Sequence, residues 1–201
     1  MNHSTFNRRE ALLSLGALAC LPLAARAAQP GATPGNSIYQ LHAALTDQDG
    51  RPFELDSLRG TPVLVSMFYS SCQMVCPMVF ETIHSTLKAL PPDERSEMKV
   101  VMISFDPARD SVAVLKKTAA VRNCDAQWTL ARGDEGTSRK IAAALNIQYR
   151  RLSDGEFNHS TIITLLDREG RIASRTGKLG TVDTALVKAV HEVHTGKAAR
   201  G

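Results

Sequence analysis

Two cysteines lie close together in Ser71-Cys72-Gln73-Met74-Val75-Cys76-Pro77. A thiolate is both a nucleophile and a soft-metal ligand, so this pair suits either a reversible disulfide or one thiophilic ion such as Cu(I) or Zn. Three intervening residues wound as a turn bring the sulfurs within bonding reach. Proline is favoured at the first position of a helix, so Pro77 predicts that Cys76 sits at or just before a helix start, with Cys72 on the loop ahead of it. The free N–H groups and positive dipole end of such a helix favour the thiolate over the thiol.

The cysteine count depends on the N-terminus. Arg8 and Arg9 form a basic region, Ala11 to Leu23 an apolar one, and Ala25-Arg26-Ala27 fits a small-residue cleavage site, so residues 1–27 read as an export signal. The paired arginines resemble a twin-arginine signal, and Sec export fits as well. An uncleaved anchor is the alternative, for which the run is short. Cys20 follows Ala17-Leu18-Ala19, a poor match to a lipoprotein signal. Cleavage leaves Cys72, Cys76 and Cys124: an odd set, with one functional pair and one bystander, in an oxidising compartment that permits disulfides. It also argues against a four-cysteine iron–sulfur cluster. Removing Arg8, Arg9, Arg26 and Glu10 from 24 basic and 20 acidic residues leaves 21 and 19. That balance is not the footprint of a nucleic-acid or membrane-surface binder. Lys116-Lys117 and Arg150-Arg151 read as solvated faces.

A third ligand for a two-thiolate site is most naturally histidine. Beyond the signal the chain offers His42, His84, His159, His191 and His194. His159 stands out because Glu156 to Ser160 is a polar stretch directly before an apolar run, and loops at strand ends are where ligand groups collect. His42 falls in a first strand or hairpin, His84 on the helix after Pro77, and His191 and His194 on the last helix; structural or solvated roles fit each. Met74 and Met78 could offer thioether sulfur, but packing or loop exposure is the better explanation of both. Cys124 reads as an inert thiol.

These groups need a scaffold. Residues 28–37 read as a mobile linker, and residues 38–201 as one domain. Ile38 to Leu45 reads as a strand, Asp47-Gln48-Asp49-Gly50 as a turn, and Arg51 to Leu55 as the returning arm, a hairpin extension at the N-terminus. Asp56 to Leu58 with Gly60 suggests one helical turn. Pro62 to Tyr69 and Met98 to Phe105 are continuous apolar runs, the pattern of strands buried on both faces. Between them Val79, Ile83, Leu87 and Leu90 recur at helical spacing until Pro91-Pro92, so strand, helix and strand form a parallel crossover unit. Asp110 is expected to cap a helix through Val121. A strand at Trp128 to Ala131, a helix at Glu135 to Leu145, short strands at Gln148 to Leu152 and Thr161 to Leu166, a hairpin partner at Arg171 to Ser174 and a helix at Thr181 to His194 complete the chain. The sum is an α/β fold of thioredoxin-like arrangement, a central mixed β-sheet flanked by helices.

The residues also resemble a family. Phe68-Tyr69 leading into Cys72-x3-Cys76-Pro77, the run Ser104-Phe105-Asp106-Pro107-Ala108-Arg109-Asp110, and His159-Ser160 ahead of a strand ending Leu166-Asp167-Arg168-Glu169-Gly170 are similar to the SCO/SenC group. These are thioredoxin-like copper proteins linked to cytochrome c oxidase assembly. The resemblance covers about residues 40 to 195. It implies that Cys72, Cys76 and His159 bind one copper ion per chain, as Cu(I) or Cu(II), and that Cys72 and Cys76 also cycle between dithiol and disulfide. It further implies a periplasmic metallochaperone, acting as a monomer on the copper-site subunit of cytochrome c oxidase or another periplasmic cuproprotein. Two departures stand out: Gln73-Met74-Val75 replaces an insert that often holds Asp or Asn, and Asn158 replaces a frequent Asp. An alternative function is thiol–disulfide oxidoreductase chemistry on thiol partners through Cys72 and Cys76 with no obligatory metal; either cysteine could attack. A peroxidase of the same fold is disfavoured, because Tyr69 stands where those families place Thr.

Overall fold

The computed structural model describes residues 33–197. The expected export signal, residues 1–27, and residues 28–32 of the expected linker lie outside the described residues. The linker's remainder is pinned rather than loose: Ser37 is buried, bridges to Arg171, and its hydroxyl donates to the Glu169 carbonyl at 2.6 Å.

The first element departs from expectation. Ile38–Leu41 is a 3-10 turn, with Ser37 accepting from the Tyr39 N–H and His42 closing it in the left-handed region, so the strand begins only at Ala44. Strands β1 (Ala44–Asp47) and β2 (Pro52–Glu54) form the expected hairpin, whose turn is tied by Asp47 Oδ1 accepting from the Asp49 and Arg51 N–H groups. A 3-10 turn follows at Leu55–Leu58.

Strand β3 (Val63–Phe68) is buried along its whole length, and β4 (Lys99–Ser104) from Val100 onward. They pair in parallel, as their two-faced apolar composition predicts, with α1 (Val75–Ala89) between them. Pro91 and Pro92 end α1 and open a short second helix, α2 (Pro92–Glu97), which the hydrophobic pattern does not reveal because its residues are almost all polar. Strand β5 (Trp128–Arg132) pairs in parallel with β4, and β1 adds to β5 antiparallel, so the N-terminal hairpin becomes one edge of the sheet. Helix α3 (Val112–Val121) starts from Ser111, whose hydroxyl accepts from the Val114 N–H. Asp110, expected as this cap, is turned inward to another use. Helix α4 (Glu135–Leu145) is capped by Asp134, which accepts from the Thr137 N–H.

Strand β6 (Tyr149–Arg151) pairs antiparallel with β7 (Phe157–His159) in a separate two-stranded ribbon. His159 is therefore on a strand, where the sequence suggested a loop. Three residues, two of them polar, leave no periodicity to read. Strands β8 (Ile163–Leu166) and β9 (Ile172–Thr176) form the second hairpin, and α5 (Thr184–His194) closes the described chain from an Asp183 cap. The main sheet runs β2-β1-β5-β4-β3-β8-β9. Among the described residues no helix is long and apolar enough to cross a membrane.

Candidate metal and thiol site

Sheet topology brings the three expected donors to one end of the central strands. β3 and β4 are parallel with Phe68 opposite Ser104, so the loops leaving both strands emerge side by side. The first loop carries Cys72, and the second carries Asp106-Pro107-Ala108-Arg109-Asp110. β8 runs antiparallel to β3, with Val63 opposite Leu166 and Val65 opposite Thr164. The start of β8 therefore lies at the exit of β3, and the β6–β7 ribbon just ahead of it delivers His159 to the cysteines. Cys72, Cys76 and His159 each offer a ligand atom, and these atoms all lie within 4.8 Å of one another. Cys76 Sγ is 3.9 Å from His159 Nε2.

Helix α1 starts two residues earlier than Pro77 suggested. Val75 is its first residue, and Cys76 and Pro77 lie within the first turn. Proline is tolerated there because a first-turn N–H lacks an intrahelical partner in any case. Met74, the capping residue, makes no side-chain cap bond, and the Cys76 N–H instead points at Cys72 Sγ at 3.4 Å. The sulfur of Cys72 thus takes the place of a cap oxygen, at the positive end of the helix dipole.

This geometry separates the two thiols, neither of which is in a disulfide. Burial works against a Cys72 thiolate, but the Cys76 N–H, the His159 and Cys76 side chains and the Met74 N–H outweigh it and bring its pKa down to about 6. Cys76 moves the other way: burial and the neighbouring Cys72 charge hold it protonated well above the ordinary thiol range, despite the Tyr69 backbone. Cys124 is raised to about 12 by burial and by Asp125, in keeping with an inert thiol.

His159 is oriented by its own loop. Its Nδ1 lies 3.2 Å from the Ser160 carbonyl, which can only accept, so Nδ1 carries a proton there and Nε2 is the ring nitrogen turned toward the sulfurs. The ring packs edge-on against Tyr69, at 5.6 Å between centroids, and against Phe105 at 5.3 Å. Phe157 and Tyr149 complete the aromatic packing around Phe105.

The loop after β4 fastens both halves of the site. Buried Asp110 accepts from the Ser70 N–H and hydroxyl and from the Ser104 hydroxyl, which fixes the turn leading to Cys72. Arg109 pairs with Asp106 and donates to the Gly155 carbonyl at 2.8 Å, with Glu156 at 3.6 Å, which fixes the tip of the β6–β7 ribbon. Its guanidinium also lies 5.7 Å from the Phe157 ring centroid. The Tyr69 hydroxyl donates to Glu156 at 3.0 Å, a second tie across the cleft. No local spacing signals these roles; only the run from Ser104 to Asp110 hinted at them.

The other histidines lie away from the site. His84 packs on Trp128 and contacts the Arg122 carbonyl, His191 and His194 pair with Glu94 and Glu97, and His42 is exposed at the end of its 3-10 turn. Met74 lines the cleft beside Cys72 and His159.

Comparison with known proteins agrees with this architecture. The SCO1/SenC family profile matches residues 32–194. A SCO2-like protein of Rickettsia prowazekii is 29% identical over 133 residues, which are 63% of this chain and 63% of the relative. The chain therefore spans somewhat less than two thirds of that relative's length. Among solved structures, Bradyrhizobium japonicum ScoI with copper bound superposes with a TM-score of 0.62 at 27% identity, over 76% of this chain and 95% of that one. Yeast Sco1 with copper bound gives 0.65 at 21%, over 79% and 92%, a likeness of fold. With a family match across nearly all the described residues and the same fold in these neighbours, the chain belongs to the SCO1/SenC family.

Proposed function

We propose that this protein binds one copper ion through Cys72, Cys76 and His159 and hands it on as cargo to the dinuclear copper site of cytochrome c oxidase or to another cuproprotein outside the cytoplasm. The observation that carries the reading is the convergence of two thiol sulfurs and an imidazole nitrogen within 4.8 Å. The donor chemistry fits the ion: two thiolates suit Cu(I), and the added imidazole extends the set toward Cu(II). Relatives with copper bound support the same choice of metal. Export rests on the Arg8-Arg9 pair, the apolar run to Leu23 and the Ala25-Arg26-Ala27 site.

Competition of the reduced protein against a Cu(I) chelator tests it. One Cu(I) per chain is expected, with binding lost in Cys72→Ser/Cys76→Ser. His159→Ala is expected to weaken Cu(II) binding by at least about tenfold. Unchanged Cu(II) affinity in that variant would falsify the assignment of His159.

A second reading draws on the unequal thiols. With Cys72 poised as a thiolate and Cys76 protonated, Cys72 would attack a partner disulfide and Cys76 would resolve the mixed disulfide. The partner disulfide gains two electrons and two protons, and Cys72 and Cys76 end as a disulfide. Full-rate reduction of a target disulfide under copper chelation would favour this reading over delivery.

A further inference from the structure

Five methionines of the chain lie beyond Met1, all among the described residues. Met67, Met98 and Met102 are buried core residues. Met74 and Met78 are the other two, 77% and 43% exposed, and they bracket Cys76 in sequence. An apolar thioether gains nothing from facing water, and Met is an adaptable core filler, as the three buried ones are used. Among the described residues, both exposed thioethers therefore flank Cys76 in the chain, and Met74 lines the cleft where Cys72 and His159 meet.

Their placement is set by α1. Met74 is its capping residue, with helical dihedrals, and Met78 lies four residues on, so the two project from neighbouring turns of one face. Met74 lines the same cleft as Cys72 and His159. Met78 Cε lies 3.8 Å from the position a Cβ on Gly180 would take, so it runs along the surface toward the β9–α5 loop. The Cys72 and Cys76 side chains, by contrast, sit in residues only 7% and 3% exposed. An ion held on those sulfurs is poorly reachable by an incoming donor from a second protein.

We propose that Met74 and Met78 form an exposed thioether station for Cu(I) at the mouth of the thiolate site, through which the ion enters and leaves. The inference rests on the copper reading above. Thioethers are soft, uncharged donors, so they hold Cu(I) more weakly than thiolates and select against Cu(II). Movement to the station is ligand exchange: a copper–thioether bond forms as a copper–thiolate bond breaks, the copper stays Cu(I), and the sulfur is left as a free thiolate.

The test uses protein carrying 13C-methyl methionine, with Cu(I), and Ag(I) as a second soft probe. After the first equivalent of Cu(I), further metal should shift the Met74 and Met78 methyl signals and leave Met67, Met98 and Met102 unmoved. The same shifts with Ag(I) are expected in Cys72→Ser/Cys76→Ser, which scores the thioethers even if the thiolate site takes no copper. Met74→Leu/Met78→Leu keeps the apolar surface and removes both sulfurs. It should slow Cu(I) transfer to a chelator by about tenfold while leaving the equilibrium affinity within about twofold. Unmoved Met74 and Met78 methyls in both proteins overturn the station, as does an unaltered transfer rate in the leucine variant. Failure of the wild-type protein to bind a first Cu(I) would instead count against the copper reading.

Discussion

Cys72 and Cys76 are four positions apart, yet their surroundings drive them in opposite directions. Cys72 receives the first-turn N–H of Cys76 and the His159 side chain, whereas Cys76 is enclosed behind it. The pH dependence follows. Because the folded pKa of Cys72, about 6, lies below the usual thiol value of 9.0, its thiolate contributes stability above that usual value and loses it as pH falls through about 6. Alkylation of the reduced, metal-free protein by iodoacetamide should modify Cys72 first, with a rate midpoint near pH 6. Peptide mapping checks the site, and a midpoint in the ordinary thiol range would remove the assigned polarity. The spacing of the cysteines made the pair visible in the sequence but left open which is the nucleophile, since that depends on which sulfur the Cys76 N–H and His159 reach in the folded chain and on which is more deeply buried.

The decisive elements are the loop after β4 and the β6–β7 ribbon. Asp110 and Arg109 are adjacent in the chain but hold different parts of the site, one the turn to Cys72 and the other the ribbon carrying His159. Both act as positioning residues. Arg109→Gln should loosen the ribbon while the two sulfurs stay in place. We expect Cu(II) affinity to fall by about tenfold with a much smaller effect on Cu(I). Electron paramagnetic resonance of the Cu(II) form supplies the check: a spectrum identical to wild type would mean that Arg109 does not set the His159 approach. The apolar runs of β3 and β4 were readable as strands because both faces are buried. The ribbon was not, because its second strand is too short for a period. Asp110 looked like a helix cap because Asp commonly serves as one, and here three donors from the Ser70 and Ser104 side claim it.

At the scale of the molecule, the segment from Ser37 to Tyr39 is fastened to the turn between β8 and β9. Gly170 has φ +75°, and a Cβ there would meet the Tyr39 ring at 2.4 Å. Asp167 stiffens that turn by accepting from the Glu169 and Arg171 N–H groups. Gly170→Ala should therefore lower stability by about 2–4 kcal/mol, from left-handed strain together with overpacking against an aromatic ring. Urea denaturation measures it, and a midpoint equal to wild type would show that Tyr39 can move aside without cost. The site lies away from this turn, so the metal affinity of the folded variant should be unaltered.

The features legible from the residues alone are local: two thiols at a chelating spacing ahead of a helix, apolar runs that must be buried strands, and turn residues between them. Each is encoded within a few residues by backbone geometry and hydrophobic period. Folding in three dimensions sets how His159, 83 residues from Cys76, reaches the sulfurs, which thiol ionises, and which methionines stay outside. Those outcomes depend on the parallel pairing of β3 with β4 and the antiparallel return of β8, which bring distant loops to one end of the central strands. Burial, the Cys76 and Met74 N–H groups and the His159 side chain then set the chemistry of Cys72 and Cys76 in the folded chain.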